Sequence, residues 1–277
     1  MSRIFSAALR ALLVVALILT PSLMVGSRAG DQSQITLLVA LVAAIFTFME
    51  YRSAYPSLLE FRDAPPFNRL RFVALFFTVT FLAILAADHP SQSTLAAFLA
   101  AIGDQLARTI DFPYSPVRLM VLMLPENASA AMIAEMRTAA GVAYMVSLLT
   151  LGAFVLMIRL GGWPSRNRPF NLWTNLPTFD PNGSRDLVAR LNRDAGVNLV
   201  LGFLLPFLIP AVIKLVADFG NPISVDNPQT LIWMVTAWAF VPASMLMRGI
   251  ALSRVAQMIE AQRNERRDSS QGMPAAV

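Results

Sequence analysis

Several chemically versatile residue types are absent or nearly absent from this 277-residue sequence. It contains no cysteine, a single histidine (His89) and a single lysine (Lys214). Without cysteine the chain cannot form a disulfide, a thiolate metal site or a cysteine nucleophile. Because imidazole is a common metal ligand, one histidine also restricts metal and haem sites. We therefore predict neither a metal ion nor another cofactor.

Charged residues are scarce, at 14% of the chain, and apolar residues make up 56%, compared with about 25% and about 45–50% in soluble domains. The apolar residues lie in six long runs, each close to the ~20 residues with which a helix crosses a hydrocarbon core. An open sheet could not satisfy its backbone there. We therefore predict an all-α, polytopic membrane protein with six transmembrane helices. These spans are expected near residues 5–26, 33–50, 71–87, 137–160, 197–217 and 229–249.

The six spans form one predicted domain over residues 1–268. After the last span an apolar stripe continues at helical spacing, which predicts a cytoplasmic helix over residues 250–267. A small, polar and disordered segment is expected over residues 269–277. The first span also has the features of a signal peptide with a cleavage site at residues 25–27. We favour an uncleaved helix, because the charge pattern of the chain accounts for all six spans.

Arginines are concentrated in alternate connections. They are frequent before the first span, in residues 50–71, in residues 159–193 and after the last span, whereas the other connections hold few or none. Cytoplasmic loops retain cations near the ends of spans, so both termini are predicted to be cytoplasmic. The preponderance of arginine over lysine indicates a GC-rich bacterial genome. We predict a multi-pass protein of the bacterial inner (plasma) membrane.

The basic character of the chain has a membrane explanation. Arginines at a cytoplasmic membrane face attract anionic lipid, by roughly 1 kcal/mol each. No nucleic-acid recognition motif accompanies them. We therefore expect anionic lipid headgroups as partners, with a membrane protein or a second copy of the chain as a further candidate, and no nucleic acid.

Two arginine-rich connections also carry aromatic residues. Residues 50–71 repeat an acidic-aromatic-arginine triplet and then turn at a double proline, and residues 159–193 place tryptophans beside arginines. Aromatic rings can sit at headgroup depth while arginines reach phosphates. A plain interfacial connector and a docking surface for a partner both fit this pattern. The lipid- or partner-binding candidates are Arg52, Arg62, Arg69, Arg71, Trp163, Arg166, Arg168 and Trp173.

The long third connection, residues 88–127, is predicted to contain an amphipathic helix. Apolar residues recur at helical spacing over residues 95–110. The helix is expected to lie on the outer membrane surface or to cap the bundle, although the proline-rich turn at 112–116 also fits a re-entrant hairpin. A cation pore is disfavoured, because a cation would meet Arg118. Asn127 is the predicted cap of the helix that leads into the fourth span.

Two further local patterns concern helix packing and helix ends. Ala139, Ala143 and Ser147 repeat every four residues, a spacing that permits close packing within the chain or between two copies. A turn over residues 180–183 precedes a short helix that is predicted to begin after Ser184 and to end near residue 195.

The cores of the six spans contain no ionisable residue. Such residues usually mark proton relays and ion paths, so proton-coupled transport and anion pores are disfavoured. Transport of an uncharged or lipidic substrate remains compatible with the sequence. It would use the fifth span, in which two prolines each remove a backbone donor and free a carbonyl. The candidate path residues are Pro206, Pro210, Asn198 and Tyr144.

An enzyme is not predicted. The residues nearest to a catalytic set are Asp88, His89, Asp104 and Asp111, and neighbours in a helix point in different directions. We predict a non-enzymatic accessory, scaffold or assembly component that contacts lipid or protein through its arginine- and aromatic-rich cytoplasmic loops. The alternative is a transporter or facilitator of an uncharged or lipidic substrate, for which a polar cavity beside the two prolines is expected.

Overall fold

The computed structural model of the chain describes residues 3–26, 30–87, 94–164, 170–177, 187–219 and 227–271. Throughout these residues the regular secondary structure is helical, with no strand. The helices are α1 (Arg3–Val25), α2 (Gly30–Arg52), α3 (Phe67–Ala86), α4 (Thr94–Ile110), α5 (Pro116–Leu122), α6 (Ala130–Gly161), α7 (Leu172–Asn175), α8 (Leu187–Asp218) and α9 (Pro228–Gln271).

Six of these helices have the length and apolar composition needed to cross a membrane: α1, α2, α3, α6, α8 and α9. Their surfaces expose many leucine, isoleucine, valine and phenylalanine side chains, as expected where hydrocarbon surrounds a helix bundle. The described part of the chain is therefore a multi-pass α-helical membrane protein. The prediction of an all-α protein with six apolar helices of spanning length is confirmed. The identity of the membrane and the orientation of the termini stay predictions.

The last three helices of spanning length, α6, α8 and α9, are longer than the predicted spans. α6 begins at Ala130 rather than near residue 137. α9 runs unbroken to Gln271, so the predicted helix over 250–267 is the continuation of the last span. α9 also includes the first three residues of the segment 269–277 that was expected to be disordered, and the remaining six lie outside the described residues.

Two predicted helix boundaries are wrong. The short helix expected to end near Ala195 is part of α8, which continues into the fifth span. Glycine at position 196 costs about 1 kcal/mol in a helix, and the burial of Leu191 and Ala195 beside it offsets that cost. The cap of α6 is Ser129 rather than Asn127, because its Oγ accepts from the Met132 N–H at 3.2 Å. The predicted cap at residue 184 lies outside the described residues.

The connections lie at two ends of the bundle. Contacts between residues 53–66, residues 163–164 and α7 define one end, which we call the loop end. The opposite end, which we call the far end, carries α4 and α5. The loop-end core includes Phe61, Phe67, Phe154, Trp163, Leu191 and Leu252. The far-end core includes Val79, Leu82, Met120, Met136, Ile232 and Trp238.

The antiparallel pair α8 and α9 is in close contact at two glycines. A Cβ atom at Gly202 would lie 2.8 Å from the Pro242 carbonyl oxygen, and one at Gly249 would lie 2.9 Å from the Ala195 carbonyl oxygen. Only a hydrogen atom fits in either place. The two helices therefore pack backbone to backbone, as small residues allow in lipid.

The third connection contains α4, which packs against α6 through small residues. The amphipathic character of this connection stays a prediction. Gly103 and Ala107 are buried, and a Cβ atom at Gly141 would lie 2.7 Å from the Ala107 Cβ atom. The apolar residues Leu95 and Phe98 stay exposed. The position of α4 on a membrane surface stays a prediction.

The chain re-enters the bundle after α4. The Ser115 Oγ accepts from the Arg118 N–H at 3.1 Å and caps α5. Val117 and Met120 of α5 are fully buried in the far-end core. The proline-rich turn at 112–116 therefore directs α5 into the interior of the far end.

The small residues of α6 pack within the chain. Ala139, Ala143 and Ser147 are buried. The Ser147 hydroxyl donates to the Ala239 carbonyl oxygen of α9 at 3.0 Å. Of the two interpretations of this repeat, contact between helices of one chain accounts for it.

Candidate functional site

At the loop end, residues 53–66 fold back on the bundle and pack against Trp163 and α7; we call these three parts the platform. The Phe61 N–H donates to the Asn175 carbonyl oxygen at 2.7 Å, and the Asp63 N–H donates to the Asn175 side-chain oxygen at 3.0 Å. The Trp163 indole N–H donates to the Ala64 carbonyl oxygen at 3.1 Å. Hydrogen bonds with buried partners therefore join three separate stretches of chain.

An aromatic cluster anchors the platform in the bundle. The Phe61 ring centroid lies 4.6 Å from that of Phe67 and 5.6 Å from that of Trp163, and Phe154 of α6 lies 5.5 Å from Phe67. Phe61 has φ = 55°, in the left-handed region, which costs a non-glycine residue about 1–2 kcal/mol. Full burial of a phenylalanine side chain contributes about 1.5–3 kcal/mol, which offsets that cost.

An ion pair ties the platform to α9. Arg248 donates to the Glu60 carboxylate from Nε at 2.6 Å and from Nη2 at 2.8 Å. Both side chains are largely shielded from solvent, with 31% and 13% of their surfaces exposed. Such a two-bond arginine–carboxylate contact is among the stronger side-chain interactions. It fixes the middle of the connection against the last spanning helix.

Each acidic-aromatic-arginine triplet has one residue, Glu50 or Arg62, that makes hydrogen bonds within the connection. Arg62 donates to the carbonyl oxygens of Glu50 (2.9 Å), Ser53 (2.8 Å) and Ala54 (3.1 Å). It thereby satisfies free carbonyls at the C-terminal end of α2. The Glu50 carboxylate accepts from the Ser57 N–H at 3.1 Å and from the Ser57 hydroxyl. Arg62, a predicted binding residue, holds the connection in place.

The predicted lipid- or partner-binding residues divide by exposure. Trp163 is 5% exposed, and the Arg62 side chain is 9% exposed, so both are internal to the platform. Trp173 of α7 is 51% exposed, and Arg52 and Arg69 are also exposed. The second group is exposed on the outer surface, where it can meet a ligand or a partner.

Arg71 lies half-buried in α3 between two aromatic rings. Its guanidinium carbon is 5.3 Å from the Phe67 ring centroid and 5.9 Å from the Phe240 ring centroid. Its buried Nε has no hydrogen-bond acceptor, and its charge interacts with the Glu60 carboxylate. Arg166 and Arg168 lie outside the described residues.

Two adjoining cavities open at the loop end. A mainly apolar cavity of about 690 Å³ lies between α1, α2 and α3. A more polar cavity of about 500 Å³ lies between the platform and the adjacent ends of α1 and α3. Both volumes fall within the range of about 300–1,000 Å³ that is typical of small-molecule sites. Arg10, Tyr51, Asn68 and Arg69 line both cavities.

Sequence reasoning missed several residues on which the site depends. Arg10 lies over the Tyr51 ring at 4.3 Å, and Asn175 and Arg248 hold the platform. Glu60 and Arg248 are 188 positions apart, and no local pattern pairs them. Asn175 belongs to no motif, so only the folded contact reveals its role.

The predicted path residues make contacts inside the bundle. Pro210 has no N–H, so the Pro206 carbonyl has no helical donor, and the Trp238 indole N–H donates to it at 2.9 Å. The Tyr144 ring stacks on the same indole with centroids 5.7 Å apart. The Asn198 side chain donates to the carbonyl oxygen four residues before it at 2.7 Å. These polar groups are satisfied by neighbouring protein atoms.

Two aspartates at the far end, Asp104 and Asp111, are paired with arginines. The Asp111 side chain is 7% exposed and lies 2.7 Å from Arg118 Nε and 2.9 Å from Arg137 Nε. Asp104 lies 2.8 Å from Arg108, and their hydrogen bond raises the pKa of Arg108 above its ordinary value.

Of the four residues considered for catalysis, the structure describes two. Asp104 and Asp111 are engaged with arginines, whereas Asp88 and His89 lie outside the described residues. Among the residues that the structure describes, no group of three His, Asp or Glu side chains is arranged to hold a metal ion.

A scan against models of known protein families found no match, and searches of curated proteins and of solved structures found no similar chain. The fold and the site together define a class: a multi-pass α-helical membrane protein with a folded loop platform at one end. The features that bear on function are the platform, the two cavities beside it and the packing of the spans.

Proposed function

We propose that this protein is a non-enzymatic accessory, scaffold or assembly component of the bacterial inner membrane, with both termini cytoplasmic. It contacts membrane lipid or a partner protein through the platform and the arginines around it. The observation that carries this proposal is the construction of the platform. Hydrogen bonds, an aromatic cluster and the Glu60–Arg248 pair order a connection far beyond what a plain linker needs.

The rim of the platform supports a binding role. Tyr55 is 71% exposed, Leu58 and Trp173 are also exposed, and Arg52 and Arg69 flank them. Aromatic residues and arginine are enriched where proteins bind one another. Because an ordered backbone carries these side chains, binding costs little conformational entropy.

The distribution of paired and unpaired arginines supports a cytoplasmic loop end. Arg52 and Arg69 have no ion-pair partner among the described residues of the loop end. At the far end Arg108, Arg118 and Arg137 each pair with an aspartate. Unbalanced cations are expected on the cytoplasmic side, where they also attract anionic lipid.

The packing of α8 favours a scaffold over transport of an uncharged substrate. A transport site needs polar groups that face a cavity. The carbonyl freed by Pro210 instead accepts from Trp238, and Tyr144 stacks on that indole. The carbonyl freed by Pro210 is therefore used for contact with α9.

Gentle purification of the full-length protein from native membranes tests the scaffold. A partner should co-purify in fixed stoichiometry, and the combined variant Tyr55→Ala, Trp173→Ala should release it, because both rings lie at the platform rim. Phe203→Ala is the matched control, since this ring is exposed on α8 away from the platform, and it should retain the partner. A wild-type protein that purifies alone, or a partner lost equally from both variants, would contradict the scaffold.

A further inference from the structure

The apolar cavity at the loop end is a crevice on the side of the bundle. α1 packs against both α2 and α3, whereas no comparable contact joins α2 to α3 in the described part of the chain. The gap between those two helices forms the crevice, and Leu58 and Leu59 border it at the loop end. Its apolar wall includes Leu9, Leu13, Phe46, Phe72, Leu75 and Phe240.

The crevice continues into the polar cavity beneath the platform. Arg10, Asn68 and Arg69 line both spaces, so the two form one amphipathic site. Arg10 is held by its contacts with the Tyr51 ring and with Ser6. Arg69 is exposed and has no ion-pair partner among the described residues. The cationic groups therefore stand where the apolar wall ends.

The charges of the site are unbalanced. Four arginines and two carboxylates line the two cavities: Arg10, Arg62, Arg69, Arg71, Glu50 and Asp63. The Glu50 carboxylate accepts from the amides of residues 57–59, and Arg62 is bound to three carbonyls and lies 3.4 Å from Asp63. This leaves Arg10 and Arg69 without a carboxylate partner in the described structure, whereas Arg71 interacts electrostatically with Glu60. An anion would complete the site.

We propose that one anionic phospholipid binds here, with its phosphate between Arg10 and Arg69 and one acyl chain along the apolar wall. Leu9, Leu13 and Phe46 are exposed on the bundle surface, so the crevice is open to the hydrocarbon side of a membrane. A soluble phosphate would use only the polar half of the site. The inference rests on the proposed membrane function and names a specific ligand for the loop end.

Native mass spectrometry of the full-length protein, released from bilayers of equal phosphatidylglycerol and phosphatidylcholine, tests this site. The wild type should retain one phosphatidylglycerol in preference to phosphatidylcholine. Arg69→Gln should reduce that preference about fivefold, because an arginine near anionic lipid contributes roughly 1 kcal/mol. Leu13→Trp should reduce retention of both lipids, because the indole would occupy the apolar wall.

Two control variants separate the site from general surface charge. Arg159→Gln changes an exposed arginine at the loop end of α6 that lines neither cavity, and it should behave as the wild type. Arg69→Lys retains the charge and should retain most of the preference. Circular dichroism is used to confirm that each variant keeps the helix content of the wild type.

Three results would overturn the lipid site. They are equal retention of the two lipids by the wild type, equal losses in Arg69→Gln and Arg159→Gln, and binding of glycerol phosphate as tight as that of the lipid. A wild type that retains its protein partner but shows no lipid preference would refute this site alone. A wild type that shows the lipid preference but purifies without a partner would refute the scaffold alone.

Discussion

Trp238 is a single residue of α9 that is in contact with two other helices. Its buried indole stacks with Tyr144 of α6, and its N–H donates to the Pro206 carbonyl of α8. Pro210 creates the need for this donor, because it cannot supply the helical N–H. A buried carbonyl left without a donor costs about 1–3 kcal/mol.

We expect Trp238→Phe to lower the thermal stability of the protein in detergent by an amount corresponding to about 1–3 kcal/mol. Loss of the indole N–H leaves the Pro206 carbonyl unsatisfied. Melting followed by far-ultraviolet circular dichroism measures the effect. Trp233→Phe, in a partly buried tryptophan of the same helix, is the control and should change the melting temperature less. Equal melting temperatures for the two variants would contradict this role of Trp238.

At the scale of elements, two contacts hold α9 in place: the glycine-mediated packing on α8 and the ion pair with the platform. The first brings backbone against backbone and leaves no room for a methyl group at Gly202. The second is a polar link between a connection and a helix. The two contacts are expected to respond differently to substitution, because one is steric and the other is electrostatic.

Gly202→Ala should destabilise the protein by about 1–3 kcal/mol, the usual cost of overpacking a close contact. Gly152→Ala is the matched control, because nothing lies within 4 Å of a Cβ atom there. It should be neutral or stabilising by up to about 1 kcal/mol, since alanine favours a helix over glycine. Equilibrium unfolding in mixed micelles compares the two. Equal effects would show that α8 and α9 are less closely packed than described.

Arg248→Met should destabilise the protein by about 1–3 kcal/mol, because it leaves the largely buried Glu60 carboxylate without its two donors. Adding Glu60→Gln should recover part of that loss, since the remaining side chain carries no charge. A double-mutant cycle measured by unfolding in micelles gives the coupling energy. Strictly additive effects would mean that the pair does not hold the platform.

For the whole molecule, the central prediction is the orientation in the membrane. The natural absence of cysteine allows single cysteines to be introduced into an otherwise thiol-free chain. Tyr55 at the loop end is 71% exposed, and Tyr114 near the far end is 84% exposed. Both positions are therefore accessible to a reagent on the appropriate side of a membrane.

In intact spheroplasts a membrane-impermeant maleimide should label Tyr114→Cys and leave Tyr55→Cys unlabelled, because the arginine-rich loop end is predicted to be cytoplasmic. After permeabilisation both variants should be labelled. Labelling of Tyr55→Cys alone in intact spheroplasts would reverse the orientation and remove the basis for a cytoplasmic platform.

The spanning helices could be predicted from the sequence, whereas the contacts of the site could not. The apolar runs predicted the spanning helices, but the helix end predicted near Ala195 was wrong, because α8 continues through Gly196 beside the buried residues Leu191 and Ala195. The arginines and tryptophans predicted as binding residues occupy unlike positions in the fold, and their binding role stays a prediction. Arg62 and Trp163 are internal, whereas Trp173 is exposed.

The helical class of this protein and the number of its apolar helices follow from the sequence, because apolar length is a local property and a hydrocarbon core admits few structures other than helices. The contacts between loop residues follow from the fold. Glu60 pairs with Arg248, and the Ala64 carbonyl accepts from Trp163. The gap between α2 and α3 forms a crevice beside Arg10 and Arg69. These contacts join residues distant in the chain, and packing rather than local periodicity brings them together.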